Sequence, residues 1–349
     1  MAIQIKMRNT PVLGAKFFND ADVESLQEFL SMTKPSRVLF VDTPPTEKLP
    51  DAIKMALASG AEVYLRDHHD LSGEPRGGRD EQIRQDAENV RTLLGGRAVV
   101  SNRAAHPGCA SLVGLGEFCQ EGDVIVADPD RDGLLAAMKA VGVTYPGHEL
   151  DAALLDGPWA DMTPEKGVSA LGMLLVKGWG ALPPFSPNNP DAGKEGLFNE
   201  FILASQGDEI ALACLKKRVV DWERAVQTAH DLCDTAEEVV SGVWLVDSVG
   251  KPRYDLPTLS AELEARPGCV ITIVRKGDGP IAGKHGGVQY SFAVAKPFQK
   301  EVNLQDLLPA GFTSSPEAGI ISNTTFLLHV RQEVWDLQML PALRARFAS

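Results

Sequence analysis

Three short apolar runs, Val38-Leu39-Phe40-Val41, Val63-Tyr64-Leu65 and Val124-Ile125-Val126, each break off within two residues at an aspartate. Segments of helical pattern alternate with them. Ala52 to Ser59 is closed by Gly60, Glu81 to Leu94 carries Ile83, Ala87, Val90 and Leu94 on one face, and Leu134 to Val141 follows the third run. Continuous apolar runs of this length read as strands buried on both faces. Repeated strand-helix units therefore predict a parallel sheet covered by helices on both sides. A further strand is expected at Ala98-Val99-Val100, with a small-residue helix from Gly108 to Phe118. In front stands a helix with Val23, Leu26 and Leu30 on one side, capped at Asn19-Asp20 and ended by Pro35.

The pattern changes at 178–193, which is rich in Pro, Gly and Asn and marks a linker or lid. A long helix is expected from Gly207 to Val240. Strand-like runs then occupy Val243 to Val246, Val270 to Val274 and Val288 to Val294, with a helix near Thr258 to Glu264. The fold class is thus α/β, a parallel-sheet domain joined by a long helix to a smaller α/β domain. With 349 residues, 44% of them hydrophobic, the chain can build a core in each.

A net charge of -13 argues against a protein that coats long nucleic acid, because such binding needs a surplus of Lys and Arg. The five cysteines are scattered and never form a C-x-x-C pair, so neither a disulfide framework nor a zinc knuckle is indicated. A reducing cytoplasm is the expected location. Met1 to Arg8 lacks the apolar stretch of a signal peptide, and no membrane anchor is expected.

Open α/β sheets place their sites outside the carboxyl ends of the strands. Asp42, Asp67 and Asp128 all stand there if the three strands are parallel neighbours. Asp67-His68-His69-Asp70 leads into a polar loop through Gly73, Gly77 and Gly78, and past the strand end both imidazoles can turn into one cleft. A solvated acidic turn is the simpler alternative for this segment alone. Asp128, Asp130 and Asp132 alternate in Asp128-Pro129-Asp130-Arg131-Asp132-Gly133, and clustered carboxylates repel unless a cation lies between them. An Asp-rich helix cap would account for Asp132-Gly133 but leaves Asp128 and Asp130 unexplained. Carboxylate oxygens mixed with imidazole nitrogens suit Mn, Fe or Zn better than Ca. Several carboxylates able to bridge point to two ions, which can activate water and clamp a phosphoryl oxygen.

These residues also resemble a family. Asp67-His68-His69 resembles the name-giving motif of the DHH phosphoesterases, Leu39-Phe40-Val41-Asp42 their second motif, and Asp128-Pro129-Asp130-Arg131-Asp132-Gly133 the D-x-D-x-D-G form of their first, as in RecJ-like nucleases. Trp159-Ala160-Asp161-Met162-Thr163-Pro164 resembles the fourth, with Asp161 as its candidate ligand and Asp156 in reserve. The similarity covers roughly Arg37 to Val176. The order is permuted: the D-x-D-x-D-G strand follows the DHH motif, whereas the family places it first. Lys284-His285-Gly286-Gly287 and the segment Gly311 to Gly319 resemble the DHH-associated C-terminal domain, although Ser315 stands where its phosphate loop carries His.

The resemblance implies a DHH catalytic domain at 1–185, a linker and connecting helix at 186–240 and a substrate-binding domain at 241–349. It implies a metal-dependent phosphoesterase with two divalent ions, Mn2+ first and Mg2+ or Fe2+ as alternatives, held by Asp42, His68, Asp128, Asp130, Asp132 and Asp161. His68, His69, Asp67 and Asp130 form the catalytic group, in which His69 orients substrate and Asp67 orients the imidazoles. Lys284, His285, Gly286 and Gly287 join His69 in gripping phosphate. The implied activity is a RecJ-like exonuclease on single-stranded or short oligonucleotides. The alternatives are a phosphoesterase for a small nucleotide, such as a nucleoside bisphosphate or cyclic dinucleotide, and a non-catalytic DHH-like binding subunit. His106 reads as a helix-entry residue on the active edge, and His148, His230 and His329 as structural or exposed.

Overall fold

The computed structural model describes residues 2–5, 15–18, 23–44, 49–69, 80–157, 161–183, 193–277, 279, 281–308, 315, 317–321 and 325–347. Asn19-Asp20, the loop through Gly73 to Gly78, most of 178–193 and the 311–314 loop lie outside the described residues. The chain divides into two compact units, 1–179 with 193–219, and 180–192 with 220–349.

In the first unit an antiparallel pair, β1 (Ala2–Ile5) and β2 (Ala15–Phe18), precedes α1 (Val23–Thr33). Then follow β3 (Arg37–Val41), α2 (Leu49–Ala58), β4 (Glu62–Asp67), α3 (Asp80–Leu94), β5 (Ala98–Val100), β6 (Asp123–Ala127) and α4 (Arg131–Ala140). Helices α5 (His148–Leu155), α6 (Ala170–Gly180) and α7 (Lys194–Ser205) complete it. The strands form one parallel sheet in the order β5-β4-β3-β6. Val38, Phe40, Val63, Leu65, Val124 and Val126 share a core with Leu26, Leu30, Ile53 and Val90 of α1, α2 and α3. Alternation turns Leu39, Val41, Ile125 and Ala127 to the opposite face, where α4 packs against β3 and β6.

This order sets β6 directly beside β3. Arg37 and Asp123 are register partners at the amino ends of β3 and β6, joined by a double ion pair in which Arg37 Nε donates to Asp123 Oδ1 at 2.8 Å. At the carboxyl end Val41 pairs with Arg66 on one side and Ala127 on the other, so the next residues, Asp42, Asp67 and Asp128, stand level on one edge. The chain leaves β3 toward β4 but β6 returns to its other flank, which makes the β3/β6 edge a topological switch point.

Two expected helices differ. The one at Gly108 to Phe118 is a single tight turn, Cys109–Leu112, because Gly114 and the left-handed Gly116 (φ +68°) break it. The long helix, α8 (Glu209–Asp234), stops before Val240. Its last expected residues form β7 (Glu237–Val240), which pairs with β8 (Val243–Asp247). The β-branched Val239-Val240 and the left-handed Gly242 (φ +73°) favour a hairpin there over further helix.

The second unit continues through α9 (Leu256–Glu264), β9 (Ile271–Lys276), α10 (Ala282–His285), β10 (Gln289–Val294), β11 (Ile320–Ile321), β12 (Leu327–Arg331), α11 (Gln332–Val334) and, after a wide turn, α12 (Leu340–Phe347). Its mixed sheet runs β11-β12-β10-β9-β8-β7, with only β8 and β9 parallel among these pairs. One face packs Tyr290, Phe292 and Val294 on Trp335, Met339 and Leu343, and the other packs Val246 and Val274 on Leu232, Leu259 and Leu263. Among the described residues no helix is long and apolar enough to cross a membrane.

Phe40, 1% exposed on the strand between β4 and β6, carries much of the first core. Phe40→Ala is expected to lower stability by about 3–5 kcal/mol, transfer and cavity terms together, in denaturant unfolding of the full chain.

Candidate metal centre

The edge residues close onto a single imidazole. His68 Nε2 lies 3.2 Å from Asp42 Oδ1, 3.4 Å from Asp132 Oδ2 and 3.7 Å from Asp156 Oδ2. Two groups of ligand-type atoms thus meet at His68: Asp42, His68 and His69 in one, and His68, Asp132 and Asp156 in the other.

Each side chain is placed by a local device. Asp42 extends the ladder through its N–H to the Arg66 carbonyl (2.9 Å), then turns away in the left-handed region at φ +52°. Asp tolerates that conformation better than most residues, and it swings the carboxylate inward. Asp130 caps α4 by accepting from the Gly133 N–H at 2.8 Å. A Cβ at Gly133 would collide with the Asp128 carbonyl oxygen, so the glycine of D-x-D-x-D-G is required by the close return of the helix onto the strand end. Asp132, on the first turn, accepts from the Cys109 N–H at 2.8 Å.

The two imidazoles are held differently. The His106 carbonyl lies 2.8 Å from His68 Nδ1, which must donate to it, leaving the Nε2 lone pair aimed at the carboxylates. His69 Nδ1 lies 2.7 Å from Asp67 Oδ1 and its Nε2 receives an Arg103 N–H at 2.8 Å, so both nitrogens of that ring are engaged. His68 is therefore the better ligand of the pair, and Asp67 orients His69 rather than both rings. Arg103 reaches Asp156 as well, its Nε 3.0 Å from Oδ2.

The electrostatics are those of a cage that lacks positive charge. Burial and the Asp130 charge push the Asp42 carboxyl up to about 7, and the same two causes lift Asp128 to about 6. Burial, then Asp42 and Asp130, raises Asp132 well above the carboxylate range, and burial raises Asp156. Burial is the largest influence and opposes a charged His68, yet contact with Asp42, the His106 carbonyl and the Asp156 charge together raise its pKa. Both Asp42 oxygens, His68 Nε2 and Asp132 Oδ1 are buried without a hydrogen-bond partner. An orphaned buried polar atom costs about 1–3 kcal/mol, more when charged, and divalent cations would satisfy all four. The donor set fits two such ions.

Asp42, Asp67, His68, His69, Asp130 and Asp132 thus converge. Asp128 shares their edge, half-buried, and feels the charges of Asp130 and His69, but its oxygens belong to neither three-residue group. Asp161 stands apart, half-exposed and 3.6 Å from Lys166 Nζ, and Asp156 occupies the place beside His68. Arg103, the Cys109 N–H and the His106 carbonyl carry no motif signature. Only His106-Pro107-Gly108, with its glycine 2.6 Å from the Ala152 backbone once a Cβ is added, hinted at a tightly built turn. His106 itself bonds Ser111 through its ring. His148 is buried against the Leu135 carbonyl, and His230 pairs with Glu262.

In the second unit, Gln289 is fully buried and its Oε1 accepts from the Ile281 and Ala282 N–H groups at 2.9 and 3.1 Å, anchoring the segment that ends at His285. His285, Gly286 and Gly287 are exposed, and the Lys284 side chain lies outside the described residues. Register places Lys276, Gln289 and Arg331 in one cross-strand row and, two residues along, His329 beside Ser291. Burial and the charge of Lys276 hold His329 down at about 4. Ser315 pairs with Ile320, and its hydroxyl accepts from the Ala318 N–H.

Among solved structures, the chain is similar to a pGpG-specific phosphodiesterase, PggH from Vibrio cholerae, at 12% identity and a TM-score of 0.41, over 89% of this chain and 98% of that one. A likeness at that level says nothing of chemistry. No family model and no curated protein matches the chain.

The raised carboxyls make a pH prediction. A carboxyl whose folded pKa lies above its unfolded value stabilises the fold at low pH and loses that contribution as pH rises through the folded pKa, and a raised His68 acts in the same sense. The metal-free protein should therefore melt at a lower temperature at about pH 8 than at about pH 5.5. Mn2+ should restore the loss, and Asp42→Asn should flatten the profile in differential scanning calorimetry.

Proposed function

We propose that the chain is a DHH-class, metal-dependent phosphoesterase that hydrolyses a phosphodiester in a small nucleotide. The observation that carries this is the buried, unpartnered set of Asp42, Asp132 and His68 atoms at a sheet switch point, with Asp156 closing the ring. His68, Asp42, Asp128, Asp130, Asp132 and Asp156 would hold two divalent ions, with Mn2+ favoured by the carboxylate and imidazole mixture and Mg2+ or Fe2+ as alternatives. Such ions supply an activated water and neutralise charge developing on the phosphoryl oxygens.

The remaining residues position the reaction. The His106 carbonyl keeps the His68 lone pair inward. Asp67 fixes the His69 tautomer, and His69 with Arg103 faces the centre, where the guanidinium fork can take non-bridging phosphate oxygens. Phosphate binding in the second unit falls to Lys284, His285, Gly286 and Gly287, joined by Lys276 and Arg331 of the neighbouring row.

A small substrate is favoured over a long strand because a chain of net charge -13 repels a polyanion outside any local patch of cations. The strand-end exonuclease remains the second reading, resting on the D-x-D-x-D-G form of the first motif. End-labelled DNA and RNA of graded length, linear and cyclic dinucleotides and nucleoside bisphosphates, each assayed with Mn2+, separate the two. Dinucleotides should be cut fastest, with rates falling as length grows; faster cutting of long strands would turn the assignment to the exonuclease. His68→Ala and Asp132→Asn should each lower kcat/KM more than about 100-fold, beyond what loss of an outer-sphere partner produces. Near-wild-type turnover in either would remove the metal centre from the chemistry.

A further inference from the structure

Asp151, in the first turn of α5, is fully buried, and three donors share its carboxylate. Oδ1 accepts from the Ser169 N–H at 2.7 Å, and Oδ2 accepts from the Ser169 hydroxyl at 2.5 Å and the Tyr145 hydroxyl at 2.9 Å. The Ser169 oxygen also accepts from the Gly172 N–H at 2.9 Å, so the residue that caps the start of α6 is the one that holds α5. Gly172 is required there, because a Cβ would stand 2.4 Å from Asp151 Oδ2. Burial, then the Asp151 charge, raises the pKa of the Tyr145 phenol, which therefore stays a donor at neutral pH. The Tyr145 ring meets Phe201 of α7 edge-on, centroids 5.6 Å apart.

The same short helix reaches the metal centre. Asp156, directly after α5, places Oδ2 3.7 Å from His68 Nε2. Beside Asp151, the Ala152 backbone supports Gly108, and the turn at Gly108 supplies the His106 carbonyl to His68 and the Cys109 N–H to Asp132. Helix α4, which carries Asp132, is tied to α5 by His148 Nε2 on the Leu135 carbonyl at 2.9 Å and by Lys139 Nζ on Glu149 at 2.6 Å. Supports for the group of His68, Asp132 and Asp156 thus pass through α5. Asp42 and His69 hang instead from the ends of β3 and β4, held by the Arg66 carbonyl and Asp67. A helix of eight residues has little rigidity of its own, and apolar packing in place of a buried carboxylate would cost less. Directed hydrogen bonds at one end fix what apolar contacts leave loose, the rotation and axial position of a helix whose other end, about 7 Å away, carries Asp156.

We infer that Asp151, with Tyr145 and Ser169, is a positioning residue for one ion of the pair. It sets α5 so that Asp156 stands against Asp132 and His68 for the second cation, and leaves the position at Asp42 and His69 to the strands. This rests on the two-ion centre of the phosphoesterase reading.

Calorimetric titration of the chelator-stripped full chain with Mn2+, read together with Mn2+ electron paramagnetic resonance, tests the inference without recourse to turnover. The wild type should bind a pair of ions and give the signal of an exchange-coupled pair. Asp151→Asn, of the same shape but unable to accept from both hydroxyls, should keep one tight ion, weaken the other about tenfold or more and give the signal of an isolated ion. Tyr145→Phe keeps its ring contacts with His148 and Phe201 and loses one donor, so it should shift the same way by a smaller factor. It decides the question where Asp151→Asn does not fold. Leu30→Ala, in the core on the other face of the sheet from α4, should lower stability and yet bind both ions as the wild type does. Unchanged binding of both ions in Asp151→Asn and Tyr145→Phe overturns the inference, as does equal weakening of both ions, which marks a general loosening of the fold. A wild type that binds no Mn2+ overturns the metal centre itself, a result distinct from either of these.

Discussion

Mutual repulsion among buried carboxylates at one sheet edge is the constraint around which the first unit is built. Asp42 and Asp132 are each 1% exposed, Asp130 and Asp156 lie close enough for their charges to be felt within the group, and Asp128 feels the charge of Asp130. His68, His69, Arg103, Arg131 and Lys194 offset them in part, yet burial still holds the Asp42 carboxyl up at about 7 and raises Asp132 further. A fold optimised for stability alone would replace such a cluster with apolar side chains. Its retention makes sense as a preformed cage, in which ligand repulsion is borne by the fold and relieved on cation binding.

Rigidity for that cage comes from backbone more than from side chains. The β3/β6 pairing is pinned at its far end by Arg37 and Asp123, the strand end is reached by a left-handed Asp42, and the first turn of α4 is drawn onto the Asp128 carbonyl at Gly133. The turn after β5 adds two backbone contacts, the His106 carbonyl to His68 and the Cys109 N–H to Asp132. Gly108 makes these reachable by lying directly on the Ala152 backbone of α5. Each is short-ranged, so ligand positions are set by elements with low-entropy geometry rather than by long flexible side chains.

Positive charge, scarce overall, is used locally. Arg103 bridges His69 and Asp156, and the second unit lines up Lys276 and Arg331 across Gln289. In a chain of net charge -13 such islands favour compact anions over extended ones.

The strand ends, their aspartates and the DHH and D-x-D-x-D-G motifs were legible in the sequence because each depends on neighbours within a few residues: apolar runs, caps and alternation. Sheet order was not, since which strand flanks β3 depends on long-range pairing, and only the tertiary structure sets β6 there and so brings Asp42, Asp67 and Asp128 to a single edge. The same holds for the fourth carboxylate. The motif pattern favours Asp161 and holds Asp156 in reserve, whereas the end of α5 brings Asp156, not Asp161, beside His68. Arg103 and the carbonyl of His106 left no trace in residue type, because an exposed Arg and a backbone oxygen acquire their roles only from what the fold brings within 3 Å. The hairpin replacing the end of α8 was likewise decided by a partner, β8, whose pairing overrides the helical pattern before it.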